Sequence, residues 1–513
     1  MGIPTAPPKW FTPARLLAIF CCTNLMVYLD RGLIASNGVN GSPPSDINPA
    51  GTGIQGAFRL SYIQDGLLPT AFMLGLLIAS PIFAEYSKHT SAFRLLGLGM
   101  GVWTLAAAGC GASWNFGSLM FFRAFVGVGE ASFVALAAPF IDDYAPAAHK
   151  TQWFAFFYLC IPVGFALGYI VGGVVTAYLS WRWTFVMEAA VMVPFVIFTL
   201  VSRPVHLRGS AEPSGTHLLA SAGTAAKSKR EHIKAALSEF WSDVKIVLQQ
   251  KVWVTICAAY TCYVAVLGVY SFWGPTAGKM LFFPPGDTSS SADLVFGGVT
   301  VLAGVLGSLG GGLLLDRIGP TLRNAALVCT LATLVGFVVV MLAFACTTTF
   351  LSFIIVFGLG EFFLFLLQAP VAAICMWCVP PALRPLGASL MTVSIHLLGD
   401  VPSPPLLGLL QSALTRGKSP EDASQQWRVS MGIISTLLVA SGVVFLVASR
   451  LATPEHDFRR GEGGAGKGRV GGEVGGEIGE EARAEAIETP FLDGMQSRSS
   501  STDDMSVAST KTA

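Results

Sequence analysis

The chain has 513 residues, of which 53% are hydrophobic and only 12% are charged, and its mean hydropathy is +0.61. Soluble globular proteins carry roughly 25% charged residues, so this composition excludes a soluble fold of this length. A formal net charge of +1 gives no indication of nucleic-acid binding, and several of the ten cysteines lie inside apolar stretches, which argues against an extracellular disulfide framework.

Twelve apolar stretches are long enough to be membrane-spanning helices. A helix needs about 20 mainly apolar residues to cross a bilayer core of about 30 Å. The predicted spans lie near residues 13–36, 62–86, 93–113, 116–141, 151–176, 182–203, 252–275, 294–315, 323–346, 350–379, 383–413 and 427–450. They are rich in Gly, Phe, Leu and Val and lack the short alternating pattern of transmembrane strands. The sequence therefore predicts an all-α membrane protein.

The spans form two groups of six, separated by a long basic segment. We expect an N-terminal half over residues 1–203, a cytosolic linker over 204–251, a C-terminal half over 252–450 and a disordered cytosolic tail over 451–513. Within the linker, residues 230–250 are predicted to form an amphipathic helix on the membrane surface. Its apolar stripe consists of Ile233, Leu237, Phe240, Trp241, Val244 and Leu248.

Basic residues predict which way the chain crosses the membrane. They concentrate in the linker, before the first span and after the second and fourth spans. By the positive-inside rule, these segments and both termini face the cytosol. On the opposite side, Asn40-Gly41-Ser42 forms an N-x-S/T sequon, for which a glycan site and a chance match are equally open.

The two halves share one register. Two Gly-x-Gly-Glu motifs, which end at Glu130 and Glu361, are each followed by a proline nine residues later. The two glutamates are 231 residues apart, and so are the two prolines. The same offset relates Glu85 to Asp316. This repeat predicts two pseudo-symmetric six-helix halves, with the substrate site between them near the bilayer midplane and alternating access by rocking of the halves.

A second motif lies at a predicted cytosolic turn in the C-terminal half. Residues 312–319 spell G-x-x-x-D-R-x-G and contain Asp316 and Arg317. This pattern resembles the loop signature of the major facilitator superfamily, in which it acts as a charge latch between neighbouring helices. The first-half counterpart keeps the acid, Glu85, but lacks the Arg and the Gly, so we expect that latch to be weaker or differently paired.

Ionisable residues inside the spans are the candidate site residues. Each costs roughly 2.5–3.5 kcal/mol on insertion scales and therefore needs a partner or a function. Arg123 and Glu130 share one face of the fourth span but lie about 10 Å apart along its axis, so each should find a partner on another helix or in a ligand. The complete set is Asp30, Arg31, Arg123, Glu130, Glu188, Glu361, His396 and Asp400.

Two interpretations of these charges stay open: they neutralise each other to hold helices together, or they couple transport to protons. Burial disfavours the charged form of a carboxyl, whereas a neighbouring arginine favours it. A carboxyl that exchanges an arginine for solvent would therefore bind and release a proton. Asp30 or Glu130, working with Arg123, is the leading candidate, and His396 is a second one because histidine titrates near neutrality.

Several longer segments together resemble one branch of the superfamily, the Spinster lipid transporters, especially their plant and algal forms. The matching segments include NLMVYLDRG at 24–32, RAFVGVGEASF at 123–133, WRWTFVMEA at 181–189 and CVPPALRPLGASLMTVSIHLLGDVPSPPLLG at 378–408. The resemblance implies a major facilitator fold and proton-driven export of sphingolipids or lysophospholipids. It also implies a late endosomal or lysosomal membrane, with another organelle or the plasma membrane as alternatives. The eight intramembrane residues named above are the positions to which a site carries over.

The residues themselves support part of this prediction. Arg123 among phenylalanine-rich spans suits a phosphate whose acyl tail lies against apolar surface, and it suits a small organic anion or a sugar phosphate equally well. The expected partners are thus a lipid-like substrate, protons and the bilayer, with no nucleic acid and with a monomeric chain. No metal ligand set, cofactor motif or nucleophile cluster indicates an enzyme.

Overall fold

The computed structural model describes residues 8, 10–44, 48–87, 90–146, 150–205, 238, 240–284, 291–380 and 383–459. Over these residues twelve helices are long and apolar enough to cross a membrane, and they coincide with the twelve predicted spans. Within the same ranges the extended structure is one isolated bridge between Ser42 and Thr52. The predicted all-α membrane fold is therefore confirmed. A helix is the expected form in lipid because it satisfies its own backbone hydrogen bonds.

The N-terminal half contains six long helices and two short ones. The long helices are α1 (Pro13–Ala35), α4 (Tyr62–Tyr86), α5 (Ala92–Ala112), α6 (Phe116–Tyr144), α7 (Lys150–Tyr178) and α8 (Trp181–Val201). The short helices α2 (Asn37–Asn40) and α3 (Gly53–Phe58) lie between the first two spans. A capping box between Asn115 and Ser118 begins α6, where the Ser118 amide donates to Asn115 Oδ1 at 2.7 Å.

The linker contains α9 (240–249), which precedes the seventh span and with it the C-terminal half. The next helices are α10 (Lys251–Phe282), α11 (Ser291–Ile318), α12 (Leu322–Cys346), α13 (Phe350–Phe365), α14 (Gln368–Trp377), α15 (Arg384–Ile395), α16 (Ser403–Thr415), α17 (Pro420–Ser435) and α18 (Leu437–Leu451). A π-helical turn, His396–Asp400, joins α15 to α16. The last three spans are thus each interrupted, and Pro370 and the prolines at 402–405 lie next to two of the interruptions.

The halves pack tightly at one end of the bundle. We call the end formed by residues 35–62 the outer end and the opposite one the cytosolic end, following the positive-inside prediction. A Cβ on Gly66 of α4 would lie 2.6 Å from the Pro404 carbonyl oxygen, and one on Gly408 would overlap the carbonyl of Tyr62. The rings of Trp273 and Trp427, both buried, pack on Tyr62 at centroid distances of 5.9 and 5.6 Å. These contacts close the outer end.

The predicted linker helix lies partly within the described residues, as α9. In α9, Val244 is buried, whereas Phe240, Trp241 and Leu248 are exposed. One residue of the predicted stripe therefore packs on the protein, and the other three form an exposed apolar side. Such a side suits contact with a membrane surface. Ile233 and Leu237 lie outside the described residues, as do 206–237 of the linker and 460–513 of the tail.

Candidate functional site

An ion pair joins the first and fourth spans in the core of the N-terminal half. Arg123 of α6 donates from Nη1 to both carboxylate oxygens of Asp30 on α1, at 2.7 and 2.9 Å. Both side chains are buried, at 1% and 0% exposure. The ion pair connects two different helices, so the charge on each helix is balanced by the charge on the other.

A second ion pair lies beside the first. Arg31 of α1 donates from Nη2 to Glu130 Oε1 of α6. Glu130 is fully buried, while the side chain of Arg31 keeps 12% exposure. The Arg31 guanidinium also lies 4.7 Å from the ring centroids of Tyr28 and Phe72, within the range of cation–π attraction. We call these four charged residues the charge tetrad. Asp30 and Arg31, which follow each other on α1, thus pair with an arginine and a glutamate of α6 respectively.

The Gly-x-Gly-Glu motif explains how the tetrad can form. A Cβ on Gly127 would overlap the carbonyl oxygen of Phe72 on α4, and one on Gly129 would overlap the backbone nitrogen of Trp103 on α5. The two glycines therefore let α4 and α5 pack directly against α6. The approach of α4 places Phe72 next to both arginines, at 4.7 Å from Arg31 and 5.3 Å from Arg123.

Glu188 adds a third acid to this core. It belongs to α8, is 3% exposed and has Asp30 and Arg123 as its charged neighbours. Neither of its carboxyl oxygens accepts a hydrogen bond from a donor in the described part of the chain. One arginine therefore serves two buried carboxyls, so the group is short of one positive charge or one proton.

The repeated half does not reproduce the tetrad. Glu361 of α13 is 4% exposed and accepts a hydrogen bond from Thr300 Oγ1 at 3.1 Å. Within the described ranges it forms no ion pair, and the position that corresponds to Arg123 is the buried Ile354. The two glutamates that share a register thus have different partners.

His396 and Asp400 form a local pair on the π-helical turn of the eleventh span. The distance from Nδ1 to Oδ2 is 2.7 Å, and the two side chains are 24% and 14% exposed. Asp400 lies within electrostatic range of Arg31, which belongs to the other half. Arg31 and the pair of His396 with Asp400 thus bring partly exposed charged groups of the two halves near each other.

The predicted latch residues stand apart from this site. Asp316 and Arg317 are exposed at the end of α11, and neither forms an ion pair with another described residue. The turn is held instead by Asn324, whose amide donates to the carbonyls of Ile318 and Gly319 at 2.9 Å. Gly319 has a φ of 95°, which explains the final glycine of the motif. The side chain of Glu85 lies outside the described residues.

Sequence reasoning missed a polar clasp between the halves at the outer end. Asp293 of α11 is 1% exposed and accepts hydrogen bonds from the Asn37 backbone (3.0 Å), the Asn37 amide (2.7 Å) and the Gly38 backbone (3.3 Å). Asp293 lies in the first turn of a span, a position where an acid is ordinarily assigned to the water interface. The sequence around Asp293 does not distinguish it from an exposed acid at the start of a helix.

The structure also bears on the sequon. Asn40 is fully buried, and its amide donates to Asp65 at 2.9 Å. A glycan cannot be attached in this conformation, so the chance match is favoured.

For metals, no group of three or more His, Cys, Asp or Glu side chains within the described residues is arranged to hold an ion.

Comparisons with known proteins extend over most of the chain. The family model of the Major Facilitator Superfamily matches residues 20–404. A protein of Arabidopsis thaliana named probable sphingolipid transporter spinster homolog 2 is 44% identical over 453 residues, which cover 86% of this chain and 88% of the relative. Protein spinster of Drosophila melanogaster is 29% identical over 444 residues, covering 82% and 67% of the two chains.

Solved structures share the fold at low identity. A bacterial homolog of the human lysosomal transporter Spinster, in an inward-facing and unoccupied conformation, matches with a TM-score of 0.69 at 17% identity, covering 87% of this chain and 98% of that chain. The nucleoside transporter NupG matches with a TM-score of 0.62 at 13% identity, covering 85% and 99%. At such identities the likeness establishes the fold alone.

Proposed function

This chain belongs to the major facilitator superfamily and, within it, to the Spinster transporters, and on that premise we propose that it carries a sphingolipid or lysophospholipid across a membrane by proton-coupled alternating access. The relative named a probable sphingolipid transporter supports the substrate class. The observation that carries the proposal is the charge tetrad, because two acids paired with two arginines in an apolar core can change partners when an acid is protonated.

The tetrad supplies a means of proton coupling. Each acid of the tetrad is held by one arginine, so a proton that neutralises the acid releases that arginine. Glu188, which competes with Asp30 for Arg123, supplies a further proton acceptor within the same group. A change in the protonation of these carboxyls therefore alters the charge offered to a ligand, and a ligand anion alters their protonation in turn.

We propose that Arg31, rather than Arg123, meets the substrate headgroup first. Arg31 keeps 12% exposure and is in electrostatic range of Asp400 across the halves, whereas Arg123 is 1% exposed and enclosed by Asp30. A phosphate that approaches between the halves would pair with Arg31 and displace Glu130, which then takes up a proton. The ring of Tyr28, which is partly exposed beside Arg31, provides apolar surface for the start of the lipid chain.

Reconstitution tests the proposal. Purified full-length protein in liposomes is offered labelled lysophospholipid or sphingosine phosphate, with and without a pH gradient, and protein-free liposomes serve as the control. We expect lipid movement that is faster with the gradient than without it. If neither lipid moves, the lipid assignment is wrong; if a labelled sugar phosphate or small organic anion moves instead, the alternative substrate class replaces it.

The cellular setting is part of the same proposal. We propose that the chain acts as a monomer in a late endosomal or lysosomal membrane, with both termini in the cytosol. Co-localisation of a fluorescent fusion with a lysosomal marker tests the membrane. Cleavage of a C-terminal tag by protease added to intact organelles tests the orientation, since a tag on the luminal side stays protected.

A further inference from the structure

One buried acid is separate from the charge tetrad. Asp65 lies in the first turn of α4 and is fully buried. Its Oδ2 atom accepts hydrogen bonds from the Asn40 amide at 2.9 Å and from the Gln55 amide at 2.8 Å. These two partners are also at 0% exposure and come from α2 and α3. We call the three residues the carboxamide cluster.

The cluster holds more acceptors than donors. Each amide directs its nitrogen to Asp65 Oδ2, which leaves Asp65 Oδ1, Asn40 Oδ1 and Gln55 Oε1. All three of these oxygens are enclosed, and none accepts a hydrogen bond from a donor in the described part of the chain. Because buried acceptors are normally satisfied, three in one cluster indicate a missing electropositive partner.

The charge balance indicates what that partner is. Asp65 forms no ion pair with any basic residue that the structure describes, so its carboxylate, when ionised, is an uncompensated single charge. Carboxylate and amide oxygens are hard ligands that suit alkali and alkaline-earth cations. A divalent ion would leave an excess positive charge in a buried place, whereas a monovalent ion balances the cluster. We propose that the carboxamide cluster binds a monovalent metal cation, Na⁺ or K⁺.

The loop around the cluster is built to hold its ligands in place. Ser42 and Thr52 exchange two backbone hydrogen bonds, at 3.2 and 2.9 Å, and so bring α2 and α3 together. Asn40 lies just before this bridge and Gln55 just after it, and both donate to Asp65. An ordered ligand set of this kind loses little entropy on binding an ion.

The position of the cluster also suggests how an ion would enter. Tyr62, three residues before Asp65 on α4, and Gly66, the residue after it, both pack directly on α16 of the C-terminal half. Separation of the halves at the outer end would uncover this stretch of α4 and admit an ion from the outer compartment. This route rests on the proposed alternating access, whereas the binding itself does not.

Thermal unfolding of the purified full chain in detergent tests the proposal. The unfolding midpoint is measured in increasing NaCl or KCl, with choline chloride holding the ionic strength constant, at several pH values. We expect a saturable rise in the midpoint with one of the two metal cations. Asp65→Asn should abolish this rise, and Gln55→Ala should raise the half-saturating concentration severalfold. Asp422→Asn, which alters an exposed acid on α17, should behave as the unmodified protein.

Three results would overturn the cation site: equal midpoints in choline, NaCl and KCl; a midpoint that follows pH alone, as a protonated Asp65 would give; or undiminished saturation in Asp65→Asn. If Asp65→Asn does not fold, saturable binding of radiolabelled Na⁺ or K⁺ to the unmodified protein and its weakening in Gln55→Ala decide the question. Lipid movement in liposomes with equal salt on both sides tests the proposed function separately.

Discussion

At the residue scale, the pairing of the tetrad is determined by helix geometry. Asp30 and Arg31 carry opposite charges and, as successive residues of a helix, point about 100° apart, so each has its own partner. Their partners on α6 are separated by nearly two turns, and the two pairs therefore cross between the helices at different depths. Shifting α1 by one residue would place like charges together, so the tetrad also specifies the register of α1 on α6.

Substitution of Glu130 tests the proton role proposed for the tetrad. Glu130→Gln keeps the shape of the side chain but leaves Arg31 without its anionic partner. We expect the stimulation of lipid transport by a pH gradient to be lost, because the variant has no carboxyl to protonate at this position. The measurement is the initial rate in liposomes with and without the gradient, and Glu455→Gln, at an exposed position, is the matched control. A gradient effect of unchanged size in Glu130→Gln would rule out this role.

A double-mutant cycle tests whether Asp30 and Arg123 depend on each other. Breaking a buried ion pair by removing one partner typically costs about 3–5 kcal/mol. Arg123→Gln leaves both Asp30 and Glu188 without a cation, so we expect the larger loss in the free energy of unfolding for this single variant. Asp30→Asn combined with Arg123→Gln should be less destabilised than the sum of the single variants by about 1–3 kcal/mol. Additive losses would mean that the two charges do not interact.

The sequence predicts which residues carry charge in the membrane but not how they pair. An intramembrane charge is conspicuous because of its cost, and this made all eight candidates visible. Their partners depend on packing between helices far apart in the chain, such as Glu130 with Arg31 rather than with Arg123. Asp65 and Asp293 were missed because each lies in the first turn of a span, where an acid ordinarily faces water.

At the element scale, the Gly-x-Gly-Glu motif acts through close packing of α6 with its neighbours. The sequence showed that the motif is repeated, and the structure shows that Gly127 and Gly129 make room for α4 and α5. The predicted charge latch is the converse case. Its Gly319 has a backbone role and Asn324 holds the turn, whereas Asp316 and Arg317 have no ion-pair partner among the described residues.

Substitution of Gly127 tests this packing. In Gly127→Ala, the added Cβ overlaps the backbone of Phe72, so α4 has to move and Phe72 with it. Overpacking of this kind costs about 1–3 kcal/mol, and we expect a lower free energy of unfolding together with slower transport. Gly298→Ala is the matched control, since a Cβ there has nothing within 4 Å. Equal stability of the two variants would contradict the packing role.

The polar clasp at α2 predicts a shift between conformations. Asp293→Asn removes the charge that accepts three hydrogen bonds from Asn37 and Gly38, so the closed outer end loses stability relative to an outward-open state. Spin labels at the exposed positions Trp114 and Leu351, at the outer end of each half, report the separation. We expect a larger population of long distances in Asp293→Asn than in the control Asp422→Asn. An unchanged distance distribution would mean that the clasp does not bias the equilibrium.

At the scale of the whole molecule, the sequence predicts the twelve spans because the bilayer imposes one length and one composition on each. The 231-residue register predicts two related halves for a similar reason, since a repeat leaves the same residues at corresponding positions. The sequence does not predict which conformation of the transport cycle the structure adopts. A single sequence must fit every state of the cycle, and contacts such as that of Tyr62 with Gly408 exist only in a state closed at the outer end.

A reversible cross-link between the halves tests alternating access directly. A Cβ on Gly297 of α11 would lie 3.4 Å from the Cβ of Ala166 on α7, close to the separation in a disulfide. It would also lie 2.9 Å from the Ala166 carbonyl oxygen, so a cysteine at position 297 requires a small shift between the two helices. We expect Ala166→Cys combined with Gly297→Cys to form this bond on mild oxidation and to lose lipid transport, because the outer end can no longer open. A reductant should restore transport. Each single cysteine variant keeps the ten native cysteines, so it measures the effect of the oxidant on them and of the substitution itself. Lipid transport at the full rate in fully cross-linked protein would show that the halves need not separate at this seam. The charge tetrad would then have to exchange its protons without the rocking motion on which the proposed coupling depends.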